Sequence, residues 1–253
     1  MHIDVQGSGP DLVLIHGWAM HGGIFAPLLA PLTARFRVHL VDLPGHGYSR
    51  DETHFDVADC AQRIAAATPR ALWVGWSLGG LVALHGALDH ARQVRGVALI
   101  ASSPRFVSAP DWPQGVPADV FGAFAAGLGE RYRESIERFL ALETMGAANA
   151  QAELRDLKNQ VFERGEPDLT ALADGLHALA SVDLRARMGA LAMPSLWIAG
   201  RRDRLVAPAT MQWASAHAPH ARFLELNSGH APFIGHAADV ARAIDAFAAE
   251  LPA

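Results

Sequence analysis

Four short runs in the first hundred residues, Leu12 to Ile15, Val38 to Val41, Leu72 to Val74 and Val97 to Ile100, are rich in Val, Ile and Leu and bounded by Gly, Pro or Asp. Runs of this kind, without a polar residue at every second place, fit strands buried on both faces of a parallel sheet. Between them lie Phe25 to Arg35, Val57 to Ala67 and Leu78 to His90, each of helical length. The last carries Leu78, Leu81, Val82 and Leu88 at helical spacing. The alternation resumes late, with strands expected at Leu196 to Ala199 and Phe223 to Leu226. A closing helix is expected from Ala237 to Leu251, with Val240, Ile244, Phe247 and Leu251 on one face. The pattern predicts a doubly wound, mostly parallel α/β sheet.

The middle of the chain breaks the alternation. From Arg105 to Arg187 no convincing strand can be read, whereas Arg131 to Met145 and Ala150 to Glu163 read as helices. Pro104, Pro110, Pro113 and Pro117 would interrupt any element continuing from the preceding strand. The expected division is a core of residues 1–104 and 188–253 and a helical lid insertion of residues 105–187, placed on the edge of the sheet where α/β proteins bind ligands. With 253 residues, 51% of them apolar, such a core needs no staples. The one cysteine, Cys60, excludes an internal disulfide and a multi-cysteine metal site, and reads as a core residue. A net charge of −5 without a basic tract argues against nucleic acid as a partner. No apolar run approaches the roughly 20 residues of a membrane span, and Met1 to Gln6 has no leader-like pattern. A cytoplasmic monomer without membrane attachment is expected.

The strongest local motif is Gly75-Trp76-Ser77-Leu78-Gly79-Gly80, which follows one expected strand and opens one expected helix. That context is the one a nucleophile elbow requires: a sharp turn exposes the serine, and side chains at Gly75 and Gly79 would clash with its neighbours. A serine nucleophile needs a base, and the base needs an orienting acid, in the chain order serine, acid, histidine. Asp203, in Ala199-Gly200-Arg201-Arg202-Asp203, and His230, in Ser228-Gly229-His230-Ala231-Pro232-Phe233, each follow a late strand and so join Ser77 at one edge of the sheet. His236 is the rival base and Asp183 and Asp42 the rival acids, but His236 falls at the start of the last helix and Asp42 precedes Ser77. The oxyanion donors would be the backbone N–H groups of Leu78 and, from His16-Gly17-Trp18 after the first strand, of Trp18. No metal site is expected, since no His-Glu-x-x-His run occurs and His16 and His21 lack a suitably spaced carboxylate. Gly7-Ser8-Gly9 reads as preceding rather than following a strand, so it fails as a dinucleotide fingerprint. His46 reads as structural, and no cofactor is expected.

Together, His16-Gly17-Trp18, Asp42-Leu43-Pro44-Gly45-His46-Gly47-Tyr48-Ser49, Gly75 to Gly80 and His230-Ala231-Pro232-Phe233 resemble the α/β-hydrolase superfamily. Trp76, Ala101-Ser102-Ser103-Pro104 and the segment Glu137 to Gly146 are similar to the family of pimeloyl-acyl-carrier-protein methyl ester esterases of biotin synthesis. The resemblance implies hydrolysis of the methyl ester of a pimeloyl chain on acyl-carrier protein, with release of methanol. It also implies an acyl site formed by Phe139, Leu140, Ala141, Leu142 and Glu143 beside Trp18, Ser77, Leu78 and His230. Within the expected helix, Phe139 and Leu142 are the side chains expected to face the triad, and Tyr132, Ile136, Phe139, Leu140 and Met145 to share or adjoin its apolar face. Glu143 departs from the family, where a neutral glutamine is expected. Arg138, Arg155 and Lys158 match the family's carrier-facing positions, whereas Glu134 and Gln151 stand where further arginines are expected. A broader carboxylesterase, or a lactone or carbon–carbon bond hydrolase acting on small free substrates, stays open as the alternative. A non-catalytic ligand-binding relative is a third reading, which the intact triad disfavours.

Overall fold

Among the described residues, seven strands form one sheet in the order β1-β3-β2-β4-β5-β6-β7. The computed structural model describes residues 1–129, 131–145 and 149–252. In chain order the elements are β1 (His2–Gln6), β2 (Asp11–Ile15), α1 (Ala26–Thr33), β3 (Arg37–Asp42), α2 (Val57–Ala67), β4 (Ala71–Trp76), α3 (Leu78–Asp89) and β5 (Val94–Ile100). Then follow α4 (Ala118–Leu128), α5 (Tyr132–Thr144), α6 (Ala150–Val161), α7 (Leu169–Ser181), β6 (Ser195–Gly200), α8 (Pro208–His217), β7 (Ala221–Leu226), α9 (Pro232–Gly235) and α10 (Ala237–Ala249). Every neighbouring pair of strands is parallel except β1 with β3.

The connections explain the two layers of helices. From β2 the chain moves one way to β3, then crosses back to β4 and onward to β5. Right-handed crossovers therefore put α1 on one face and α2 and α3 on the other. In agreement, α1 packs with α10, and α2 with α3. β2 and β4 lie side by side at the point where the direction reverses, with Ile15 opposite Gly75. The loops leaving their carboxyl ends flank the crevice in which such sheets hold ligands. All six residues of β4 are buried, as are the last four of β2, so apolar runs mark them.

Two sequence expectations are corrected. β1 carries half-buried and exposed residues at the sheet edge, so no apolar run announces it. Gly7-Ser8-Gly9 therefore does follow a strand: it joins β1 to β2 with positive φ at Gly7 and Gly9, and it leads into a strand rather than a helix. Met145 does not share the apolar face of α5, because the helix ends at Thr144, Met145 turns to extended backbone (ψ 126°), and its side chain is 51% exposed.

Between β5 and β6 the described residues contain α4 to α7 and two isolated bridges, Val107 with Val116 and Ala109 with Trp112. The two ends of this helical segment meet where the Leu184 N–H donates to the Pro104 carbonyl at 2.8 Å. Specific bonds tie the segment to the sheet. Arg164 reaches both carboxylate oxygens of buried Asp42 at 3.1 Å, and His21 Nε2 lies 2.8 Å from the Gln160 carbonyl. The Asp168 N–H donates to Gly45 and the Phe55 N–H to Asp174.

Candidate active site

Ser77 sits between β4 and α3 with φ 53° and ψ −119°, a conformation that costs a non-glycine residue on the order of 1–3 kcal/mol. The surroundings hold it there. Its N–H donates to Ile100, and its carbonyl accepts from the Gly80 N–H at 2.9 Å and from the Ser102 hydroxyl at 2.8 Å. Both flanking glycines are sterically required. A Cβ on Gly75 would lie 2.3 Å from the Gly79 carbonyl oxygen, and one on Gly79 would lie 2.2 Å from that of Ile15. Ser102 was legible only as part of a family-like string; its hydroxyl now has a local task, fixing the carbonyl of the strained residue.

His230 and Asp203 meet Ser77 at the carboxyl end of the sheet. His230 Nε2 is 2.9 Å from Ser77 Oγ, and His230 Nδ1 is 2.8 Å from Asp203 Oδ2. The other carboxylate oxygen of Asp203 accepts the N–H groups of Leu205 and Val206 at 2.8 and 2.9 Å, which fixes the carboxylate plane. Burial works against a charge on His230, but the Asp203 carboxylate raises its pKa above the usual histidine value. The indole N–H of Trp76 donates to the His230 carbonyl at 2.8 Å, so the residue before the serine also anchors the histidine. Sequence reasoning had no signal for that bond. The rivals lie elsewhere: His236 caps α10 beside Asp239, Asp183 pairs with Arg105 and Arg185, and Asp42 is held by Arg164.

Leu78 opens α3, where an N–H has no partner within the helix. Trp18 follows β2 beside the elbow; a Cβ on the intervening Gly17 would lie 3.2 Å from that of Ser77. His16 shapes this loop, Nδ1 bonding the Gly17 carbonyl and Nε2 accepting the Leu43 N–H. Burial, helped by His46, depresses its pKa to about 3, so it is neutral. Among the described residues no cluster could hold a metal ion. Cys60 is buried in α2, and burial pushes its thiol up to about 12, far from a reactive thiolate.

The helical segment covers the site, leaving Ser77 2% and His230 1% exposed. Phe139 of α5 lies against the Trp18 ring at 4.6 Å. The Trp18 indole donates to the Leu172 carbonyl of α7 at 2.8 Å, and Gly175 of α7 is where a Cβ would strike that ring. One helical turn after Phe139, buried Glu143 accepts the His230 N–H on its backbone carbonyl at 3.2 Å. Leu140 is buried, while Ala141 and Leu142 are half-buried. Gly146, the last residue of the family-like segment, lies outside the described residues. Of the basic positions, Arg138 pairs with Glu134 at 2.6 Å and Lys158 with Glu137 at 2.5 Å. Arg155 is exposed on α6 and, among the described residues, has no ion pair.

A serine on a strained strand-to-helix turn, backed by a histidine and an aspartate from later loops of a mostly parallel sheet, has the geometry of a serine hydrolase. The chain belongs to the α/β hydrolase fold family, whose pattern matches residues 10–237. It is 55% identical, over 100% of both chains, to the pimeloyl-acyl-carrier-protein methyl ester esterase of Xanthomonas campestris pv. campestris (strain B100). It is 54% identical to the protein of that name from Stenotrophomonas maltophilia (strain K279a), over 99% of this chain and 97% of that one. Among solved structures, the enol-lactonase from Burkholderia xenovorans LB400 superposes with a TM-score of 0.87 at 22% identity, covering 98% of this chain and 96% of that one. An esterase from Exiguobacterium antarcticum gives 0.87 at 19% identity, covering 97% and 94%. These two likenesses speak for the fold alone.

Proposed function

We propose that this chain is a carboxylic ester hydrolase that cleaves the methyl ester of pimeloyl-acyl-carrier protein in biotin synthesis. One observation carries the reading: the Ser77–His230–Asp203 hydrogen-bond chain, at 2.9 and 2.8 Å, stands in a protein 55% identical from end to end to an esterase of that name. His230 takes the Ser77 proton as the oxygen attacks the ester carbonyl, and Asp203 steadies the imidazolium. The N–H groups of Trp18 and Leu78 hold the oxyanion. Collapse expels methoxide, which takes the proton from His230 and leaves as methanol. His230 then deprotonates a water that attacks the acyl-enzyme, and the proton returns to Ser77 as the free pimeloyl carboxyl is released. In this reading residues 105–187 serve as the lid, and Phe139, Leu140, Ala141, Leu142 and Glu143 line the acyl chain with Trp18. The carrier docks on the side of Arg138, Arg155 and Lys158, and the enzyme works as a cytoplasmic monomer.

The ion pairs of Arg138 and Lys158 favour a second reading, a carboxylesterase of small free esters, because they leave Arg155 as the available cation of that group. Complementation separates the two. Wild-type chain should restore growth without biotin to an esterase-deficient, biotin-requiring strain, Ser77→Ala should not, and the purified protein should release methanol from the carrier-linked ester. Failure of the wild type, with small esters still hydrolysed, overturns the first reading in favour of the second.

A further inference from the structure

The side chain of Glu143 is unlike any other in the site. It is 1% exposed, and neither carboxyl oxygen has a hydrogen-bond partner among the described residues. Its backbone carbonyl holds the His230 N–H at 3.2 Å, and Phe139, one turn earlier on the same face of α5, touches Trp18. The carboxyl is thus brought to the wall that faces the reacting groups. An ionised carboxylate without donors in such a place is costly, whereas a neutral acid needs only one acceptor. Its position in the last turn of α5, at the negative end of the helix dipole, opposes a negative charge further. The titratable groups that face it are His230, from the loop after β7, and Asp203, from the loop after β6.

We propose that Glu143 is a specificity-determining residue that works as a neutral carboxylic acid: its O–H donates a hydrogen bond to an oxygen of the bound ester, and its ionisation closes the site to substrate. The proposal rests on the esterase reading of the Ser77 site. Burial is the main reason that the acid keeps its proton; Asp203 adds to the effect and His230 works against it, leaving the pKa raised to about 8. Working as a donor, Glu143 explains how an acidic side chain is tolerated beside an ester and an oxyanion that a carboxylate would repel. The same proton makes substrate binding, rather than His230, the step that fails on the alkaline side.

The test is the pH dependence of kcat/KM for wild type, Glu143→Gln and Glu143→Leu on a p-nitrophenyl acyl ester, corrected for spontaneous hydrolysis. Wild-type activity should fall above about pH 8. Glu143→Gln keeps a donor that cannot ionise, so its activity relative to wild type should rise about tenfold between pH 7 and pH 9. Glu143→Leu lacks the donor and should show a KM raised about 3- to 10-fold at pH 7. The carboxylic-acid C=O stretch in the infrared should be weakened in both variants at pH 7. A Gln-to-wild-type ratio that stays flat overturns the proposal, as does a Leu variant with wild-type KM. A kcat loss in the Gln variant at unchanged KM also overturns it, because that would make the group an anion serving His230. If wild type hydrolyses the p-nitrophenyl ester but not the carrier-linked methyl ester, the substrate reading fails while the Glu143 comparison still stands.

Discussion

Replacing Arg164 by alanine should weaken the native state by about 2–3 kcal/mol, although the residue belongs to no part of the chemistry. Asp42, its partner, is 0% exposed, and Arg164 is 17% exposed. Removing one member of a buried pair typically costs about 3–5 kcal/mol, because the remaining charge is stranded. Two features reduce that here: Asp42 keeps the N–H groups of Gly22 and Tyr48 at 2.7 and 2.9 Å, and water gains access once the guanidinium is gone. The guanidinium also lies 4.7 Å from the Tyr48 ring centre, and loss of that contact adds about 0.5–1 kcal/mol. For a chain of this size the sum corresponds to a Tm lower by roughly 4–12 °C. Urea unfolding at pH 7 of wild type, Arg164→Ala, Asp42→Asn and the double variant should give a coupling of about 1.5 kcal/mol or more.

The pH dependence supplies a second readout with a definite sign. Burial opposes the charge on Asp42, but the two N–H donors and Arg164 outweigh it and hold the carboxyl below its usual range. Stability from this group is therefore present above its ordinary pKa of about 4 and is lost as the pH falls through the depressed value. The gap between wild type and Arg164→Ala should shrink in acid. A loss under about 0.5 kcal/mol, or additive single effects, would refute the reasoning.

Asp203→Asn should lower kcat on the order of 10⁴-fold. The two N–H donors of Leu205 and Val206 keep the amide oxygen, so the NH₂ faces His230 Nδ1 and forces the wrong tautomer; activity within tenfold of wild type would contradict this. Because the Asp203 carboxylate outweighs burial and raises the His230 pKa, the acid limb of kcat/KM should lie above the usual histidine value of about 6.5 and move down in that variant. Arg155→Glu should lower kcat/KM for the carrier-linked ester most strongly at low salt and leave a small ester unaffected, while Lys158→Gln should do less, its charge being already paired with Glu137. Equal losses for both substrates would point to damage of the helical segment instead.

Features that depend on neighbours in sequence were the legible ones. The buried strands wrote themselves as apolar runs, and α2, at Val57–Ala67, matches the expected span because its apolar face is regular. β1 was missed because an edge strand is half polar, and α8 because Met211 and Ala214 give it only a weak apolar stripe. Ser77, Asp203 and His230 could be picked out because each follows a strand at the same edge. What could not be read is the support around them. The Trp76 indole bonds a carbonyl 154 residues away, and Arg164 meets an acid 122 residues away. Neither spacing has a local signature, since each follows from which loops the crossovers bring to one edge.

That long-range support bears on how the covered state should be regarded. Three contacts from the helical segment end on residues of the site: Phe139 on the Trp18 ring, the Leu172 carbonyl on the Trp18 indole, and the Glu143 carbonyl on the His230 N–H. Trp18 and His230 are the residues whose placement the proposed reaction can least spare, one as an oxyanion donor and the other as the base. Each is tied on its other side to the sheet, Trp18 through the loop that His16 shapes and His230 through Trp76. Lifting α5 and α7 would expose Ser77, but it would also free the Trp18 ring and one bond of the histidine backbone. A uniformly open site would thus admit substrate while loosening two of the groups that must act on it. The covered arrangement is the one in which both groups are held from two sides, as preorganised catalytic groups require. The Arg164–Asp42 pair meanwhile ties the α6–α7 connection to the end of β3 independently of those three contacts.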